Sequence, residues 1–529
     1  MKRNIYGLTV LALAASEMAN GCGAKTGAPE PTVVEPATMI AGTELRVTIK
    51  GQGFAPAMLV DLKDADQSQV SAEFSVRLGS WDLVAVSWVD ETTLTAIVPS
   101  TVLRGTYDLS VTAPDGQTGM IVSAFAVEPC LGPSCACVAG ESYCAPNGRT
   151  LHSCNDSGSG PVVEADRLCG LACIGGRCAA VSNIGDDVVA LCDVPAPVLT
   201  PSAAQTIVFS SQGIECPRGC GDGKNLVESY WQDDNLVAFC VSRLSLPANV
   251  TLAANGSETR ALILVVAEQA ARIAGTIDLP GANAVDGDGL GIAGGGGGPG
   301  GGAGADGCNA QRCSGNPGSG PGPGNGGLRA VSNQAGGGGG GGNTGMGGAG
   351  GLGGTDGVGG SGGPSYSTDA TQRLIGGSGG GSGGDGGIGE GSGPGGGGGG
   401  AIQIISRVGI TIDGVIRANG GAGGNAFSDC GAGGGGSGGT VVLEAAGMIT
   451  ISGFVVIQGG RGGANASVGG GTAGAGASGL TIDGEPGGVS ATAGGGGGGG
   501  GAGRVRLSGI GGVTCQGVDP IGSCTVGAL

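Results

Sequence analysis

A short strand pattern is written twice between Ala401 and Gly463, and no other feature restricts this chain's fold so strongly. The first copy reads AIQIISRVGITIDGVIRANGGAGG and the second TVVLEAAGMITISGFVVIQGGRGG. Aligned on Gly414 and Gly453, Ile402 falls on Val441, Ile404 on Leu443, Ile410 on Ile449, Ile412 on Ile451, Ile416 on Val455 and Ala418 on Ile457. Apolar residues recur at every second position, which gives a strand one apolar face and puts Thr411, Asp413 and Arg417 on the other. Two more copies fit the frame. One runs through Ile263, Val265 and Ile273 to Gly275, then Ile277 and Leu279; the other runs through Val505, Leu507, Val513 and Cys515 to Gly517. Repeated units separated by insertions mark a solenoid whose rungs bury together a face that none can bury alone. The chain is read as a right-handed parallel β-helix or a close relative. The anchor glycine marks a corner, and the Gly-rich intervals leave the coil as loops. An antiparallel meander shows the same alternation, and periodicity does not separate the two.

Composition supports a repetitive β architecture over a deep-pocketed globule. Of 529 residues 127 are Gly, 12% are charged and 3% aromatic, against about 25% charged in an average domain. The formal charge is -18, with the basic residues scattered, which argues against nucleic acid and anionic membrane surfaces as partners. Eighteen cysteines and a single histidine, His152, point to disulfides in an exported protein and away from zinc modules. No metal or cofactor is expected.

Residues 1–22 read as an export signal. Lys2 and Arg3 precede an apolar stretch from Ile5 to Ala15, and small residues lead to Ala19-Asn20-Gly21-Cys22. This resembles a bacterial lipoprotein signal. The resemblance implies that Cys22 carries the lipid, that the partner is a lipid bilayer, and that Gly23 directs the protein to the outer membrane. An ordinary cleaved signal, with Cys22 in a disulfide and the protein secreted, is the alternative.

Within residues 29–128, LRVTI, TLTAIVP and YDLSV alternate, with breaks at Gly51-Gln52-Gly53, Pro99 and Pro114-Asp115-Gly116. Such runs predict an immunoglobulin-like β-sandwich. IKGQGF at Ile49–Phe54, TLTAIVP ending at Pro99, GTYDLSVTAPDG at Gly105–Gly116 and AFAV at Ala124–Val127 resemble an IPT/TIG domain. The resemblance implies a spacer, an adhesion module or a carbohydrate-contacting module. Trp81 and Trp88 are expected to pack on the core rather than stack on sugars.

Residues 129–180 hold Cys130, Cys135, Cys137, Cys144, Cys154, Cys169, Cys173 and Cys178 among few aliphatics. Four disulfides are the expected staple, with connectivity unreadable. In a lead-in region, 181–260, Cys192, Cys216, Cys220 and Cys240 can form two bridges tying early rungs together. Residues 261–529 carry the rungs. Cys308 and Cys313 pair locally, Cys515 and Cys524 close the end, and the odd thiol falls on Cys430.

Residues 281–400 are of low complexity. Between Met346 and Gly363 Gly pairs recur every third residue, a period that suits polyproline II helices. Too little side chain to repay ordering entropy favours a disordered surface loop instead. Gly376–Gly380 matches G-x-S-x-G without strand-turn-helix context, and Gly301–Asp306 matches only the start of one calcium-binding nonapeptide. Carboxylate catalysis on a β-helix needs a row of Asp or Glu on stacked rungs. The outward positions hold Asp278, Arg417 and Val456 in one row and Ala274, Asp413 and Ser452 in another, so no catalytic residues are assigned. The expected function is that of a non-enzymatic surface lipoprotein with a structural or adhesive role, or one of contact with matrix or extracellular polysaccharide. A β-helical polysaccharide lyase or glycosidase is the first alternative, and a calcium- or ice-binding repeat surface the second.

Overall fold

The computed structural model describes residues 28–59, 69–128, 142–145, 147–155, 163–184, 189, 192, 196–286, 293–308, 313–329, 331, 334–366, 374–387, 391–510 and 512–527. The chain divides into two compact units, residues 1–143 with 152–165 and residues 144–151 with 166–529.

The first unit contains an Ig-like β-sandwich. One sheet orders strands Glu30–Glu35, Leu45–Gln52, Thr93–Val98 and Val84–Asp90, and the other orders Thr38–Ile40, Thr118–Glu128, Gly105–Thr112, Ser75–Leu78 and Trp81–Asp82. Alternation decides which residues meet between the sheets: Val47, Ile49, Leu94, Ala96, Leu109, Val111 and Phe125 are all buried. Trp81 and Trp88 lie half-buried against this core, and the Trp88 indole donates to the Phe54 carbonyl at 2.6 Å. The Tyr107 hydroxyl reaches back to the Leu103 carbonyl at 2.6 Å, which pins the turn before its own strand.

The second unit is a parallel β-solenoid. Its three long sheets take one strand each from successive rungs. Rungs led by Ala261–Val266, Ala401–Ser406, Thr440–Ala445 and Arg504–Gly509 stack in register, with Ile402 on Val441, Ile404 on Leu443, Ile410 on Ile449 and Ile416 on Val455. Ile273, Ile412 and Ile451 form one buried column. The anchor glycines 275, 414 and 453 sit at the bend between second and third strands. A Cβ on Gly414 would come within 2.0 Å of the Gly275 carbonyl oxygen, and one on Gly453 within 1.9 Å of that of Gly414. The corner is glycine because it sits directly against the corner of the preceding rung.

Two sequence expectations shift here. The rung at 261–266 pairs Leu262 with Ile402 and Leu264 with Ile404, one residue out of the expected frame, so Ile263 and Val265 point outward. ALILVV is apolar on both faces because its outer face is also covered, by Leu171, Ala172, Ile184 and Val189. Alternation therefore carried no register there. The solenoid also begins earlier than residue 261. Leu236–Val241, Arg243–Leu246 and Val250–Ala254 form a full rung, and Val198–Leu199 with Gln205–Phe209 a partial one. These lack the glycine corner; Pro247 and its neighbours turn the chain instead.

The largest correction concerns residues 281–400, expected to be loops. The described residues of the Gly-rich intervals form extended arms packed side by side and hydrogen-bonded through their backbones. The arm 335–342 shows the rule. Its N–H groups donate to arms 322–328, 348–351 and 432–435, and its carbonyls accept from arms 360–363, 381–384 and 495–501. Partners repeat every third residue: Gly337 and Gly340 bond one neighbour, Gly338 and Gly341 another. A three-residue turn that leaves no hydrogen bond within the strand is polyproline II geometry. Six neighbours can crowd one arm only because, from Gly336 to Gly342, it has no side chains. A Cβ on Gly340 would lie 2.0 Å from the Gly499 carbonyl oxygen.

Disulfides join Cys144 to Cys173, Cys169 to Cys178, Cys192 to Cys240, Cys216 to Cys220, Cys308 to Cys313 and Cys515 to Cys524. Cys216–Cys220 closes a local turn and ties no rungs; Cys192–Cys240 holds the covering segment to a rung. Cys430 is buried outside these disulfides, and its thiol donates to Asp385 Oδ1 at 3.3 Å. Cys22, Cys130, Cys135, Cys137 and the side chain of Cys154 lie outside the described residues.

Gly340→Ala should lower stability by about 1–3 kcal/mol, the usual cost of overpacking a filled interior. Gly296→Ala, where a Cβ meets nothing within 4 Å, should leave it unchanged. Urea midpoints of the two variants check this; equal midpoints would refute the lattice.

Candidate functional site

Side chains on the outer faces of the rungs are the only ones on the solenoid sheets that solvent or a ligand can reach, so chemistry on this scaffold has to be built there. The expected rows are real columns: Asp278 stacks on Arg417 and Arg417 on Val456. Their carboxylates are engaged. Arg417 meets Asp278 at 3.4 Å, and Arg272 meets Asp413 at 3.1 Å across the neighbouring corner. Both pairs are partly solvent-exposed and are worth about 0–1 kcal/mol each. They act as clips between rungs, and the two columns hold no pair of free carboxylates.

The motif residues fall inside the lattice as structural parts. Ser378, from the G-x-S-x-G match, is buried, and its hydroxyl accepts the Gly322 N–H at 2.9 Å while its own N–H donates to Ser437 Oγ at 2.8 Å. Ser382 and Ser392 accept the N–H groups of Asn316 and Cys308, each at 2.8 Å. Asp306, from the nonapeptide match, accepts the Gly294 N–H at 2.9 Å. His152 stacks on Tyr143, ring centroids 4.6 Å apart.

A buried carboxyl missed in the sequence is Glu444. It lies on the outer face of the strand Thr440–Ala445, beneath the covering segment. Ser182 donates to it through both N–H and hydroxyl, Gln403 Nε2 donates at 2.8 Å, and the same amide also reaches the Ser182 carbonyl at 2.8 Å. Burial pushes the Glu444 pKa up, while the hydrogen bonds from Ser182 and Gln403 and the charge of Arg506 pull it back. Arg407 fastens the same segment, donating to the carbonyls of Gly170 and Val189 at 3.0 Å each. The arrangement is a polar latch that holds the segment onto the solenoid.

Among the described residues, two of the surfaces open to a ligand stand out. One is the outer face of the glycine lattice, where arm 346–352 lies between arms 358–364 and 484–490. Every third residue points out: Met346, Ala349 and Leu352 on one arm, Val358, Ser361 and Pro364 on the next, all exposed. At about 3.1 Å of rise per residue, the protrusions repeat every ~9 Å on a rigid, weakly charged plane. The other is a cleft of about 390 Å³ between the turn 253–256 with Glu258 and the first two glycine arms, 278–282 and 296–299. Glu258 is neutralised there by Arg260 at 2.8 Å.

Comparison with known proteins identifies one part of the chain. Residues 29–126 match the IPT/TIG domain family, and that segment is an IPT/TIG domain. No curated protein matches the chain. Among solved structures, a "Putative phosphatase" from Bacteroides thetaiotaomicron VPI-5482 aligns at 18% identity over 25% of this chain and 31% of its own, with a TM-score of 0.14. An auxiliary nutrient binding protein from Bacteroides ovatus ATCC 8483 aligns at 14% identity over 40% of this chain and 45% of its own, also with a TM-score of 0.14. The aligned parts are under half of either protein's length, and at that score neither likeness bears on fold or function.

The raised pKa of Glu444 has a pH signature. Below its ordinary pKa the carboxyl is neutral in folded and unfolded chains alike; as pH rises above that value the unfolded chain ionises first, and folded stability falls until the raised pKa is passed. Glu444→Gln should therefore raise the melting temperature at pH 8 and converge with the native protein by pH 4. A constant difference across that range would contradict the latch.

Proposed function

We propose that the protein is a non-enzymatic, exported surface lipoprotein with a structural or adhesive role, in which an IPT/TIG module and a disulfide-stapled connector carry a β-solenoid braced by a polyglycine lattice. The observation that carries this reading is where the polar side chains go. Outer carboxylates clip rungs to each other, buried serines and Glu444 satisfy backbone or neighbouring groups, and the open surfaces are flat or lined by backbone and small residues. Such a molecule offers area and rigidity, which suit contact with an extracellular matrix or polysaccharide. The lipid on Cys22 is part of the proposal and rests on the signal-like residues 1–22. Two results check it. Cys22→Ser should move the protein from the membrane fraction to the soluble fraction; unchanged fractionation would remove the anchor. The soluble chain incubated with acidic and neutral glycans should release no reducing ends or unsaturated products; release would assign the polysaccharide lyase or glycosidase alternative.

A second reading, ice binding, draws on the lattice face at 346–364. Its rigid plane, with small or apolar side chains at a three-residue repeat and few charges, suits a crystalline water surface. Ala349→Arg, in the middle of that face, should abolish any inhibition of ice recrystallisation while leaving the melting temperature unchanged. Inhibition that survives the substitution would take ice off this face.

A further inference from the structure

The glycine lattice has a direction. Arms leaving the third strands stack as 280–286, 419–425 and 458–464, and each arm's N–H groups donate to carbonyls of the next: Gly281 to Asn419, Ala284 to Ala422, Gly420 to Gln458, Gly423 to Arg461. Returning arms obey the same rule. Gly295 donates to Gly395 and Gly298 to Gly398; Gly396 donates to Gly434, and Gly435 to Gly498. Asx side chains reinforce the register, since Asn283, Asn419 and Asn425 Oδ1 accept the N–H groups of Ala422, Gln458 and Ala464 at 2.8–3.0 Å.

The stack stops at its first layer. The preceding rung sends out no arm; its chain turns at Asn255–Glu258 and starts the next strand at Ala261. Pro280 and Asn283 occupy the lattice positions of Asn419 and Ala422, and Gly294 and Gly297 those of Gly395 and Gly398. In the upper layers these carbonyls accept an N–H from the arm before. Among the described residues nothing donates to the carbonyls of Pro280, Asn283, Gly294 or Gly297, or accepts the N–H of Asn283. Pro280 and Gly297 line the cleft of about 390 Å³, which is walled on its far side by Ala253–Gly256; Asn283 and Gly294 continue the same two arms outside its lining.

We propose that this cleft is a docking site for a glycine-rich polyproline II segment of a partner chain, which enters as the missing arm of the lattice. Two rows of carbonyls at three-residue spacing call for a strand offering an N–H at every third residue and lacking Cβ atoms where arms touch. An Asn or Asp in the incoming chain takes up the Asn283 N–H as Asn283 takes up that of Ala422. The recognition is main-chain addition, the polyproline II counterpart of adding a strand to a sheet edge. It is independent of the lipid anchor and of any contact with polysaccharide or ice.

The test uses the full chain and a fluorescein-labelled peptide of five Gly-Gly-Asn repeats, with its N-methylglycine counterpart as control, read by anisotropy. The Gly-Gly-Asn peptide should bind and the N-methylated peptide should not. Gly296→Trp, at a position where a Cβ meets open space, and Ala253→Trp on the opposite wall should each weaken binding at least tenfold with the melting temperature unchanged. Absence of binding, equal binding of both peptides, or binding indifferent to both substitutions would overturn the proposal. So would self-association of the native protein that both substitutions abolish and the peptide fails to displace, which would give the cleft to a second copy.

Discussion

Backbone hydrogen bonds between chains that have no Cβ atoms are what the second unit depends on. Ordinary interiors are filled by side chains, and each polar backbone group is satisfied within a helix or sheet. In the glycine lattice the backbone is itself the filling. An arm such as 335–342 satisfies its donors on three neighbours and its acceptors on three others, and a methyl group at an interior position would displace a carbonyl. Each such bond contributes only about 0.5–1.5 kcal/mol net, and glycine loses more backbone freedom on ordering than any other residue. The lattice is therefore stable only as an assembly, anchored at one edge by a solenoid whose aliphatic columns supply the hydrophobic driving force.

The division of labour explains the composition. Ile, Val and Leu are concentrated in strands of three to six residues that line a narrow interior, and Gly fills the arms that extend from each rung. Rungs and arms share one register. The 39-residue step that puts Gly414 beneath Gly453 also puts Asn419 beneath Gln458 and Asn425 beneath Ala464. A rung placed correctly places its arm, so side-chain packing in the solenoid sets main-chain pairing well away from it.

What the sequence disclosed follows from which groups do the packing. Register was legible at Ile402, Ile404, Ile410 and Ile412, where one face is buried and alternation has meaning. It slipped by one residue at Ile263 and Val265, since a strand buried on both faces alternates nothing. The segment 198–254 reads as a lead-in to the solenoid rather than as rungs, for lack of a glycine corner. The arms were misread for a deeper reason: a segment with little side chain was judged unable to repay its ordering entropy, a criterion that presumes side chains do the burying. The three-residue period at 346–363 was visible, and Asp286 recurs as Asn425 a rung later. Glu444 carried no signal, because its partner Ser182 is 262 residues away.

The first two arm-bearing rungs touch along their whole length, yet corresponding residues are 139 apart in the chain, against 39 for the next pair. By the logarithmic dependence of loop closure on length, joining the distant pair costs about 1 kcal/mol more chain entropy. Rungs 401–417 and 440–456 thus offer the cheaper nucleus, and the hundred-residue excursion joins a platform already laid down. Topology so dominated by remote partners makes folding slow, and the same remoteness means that no short segment can peel away without giving up bonds to several others.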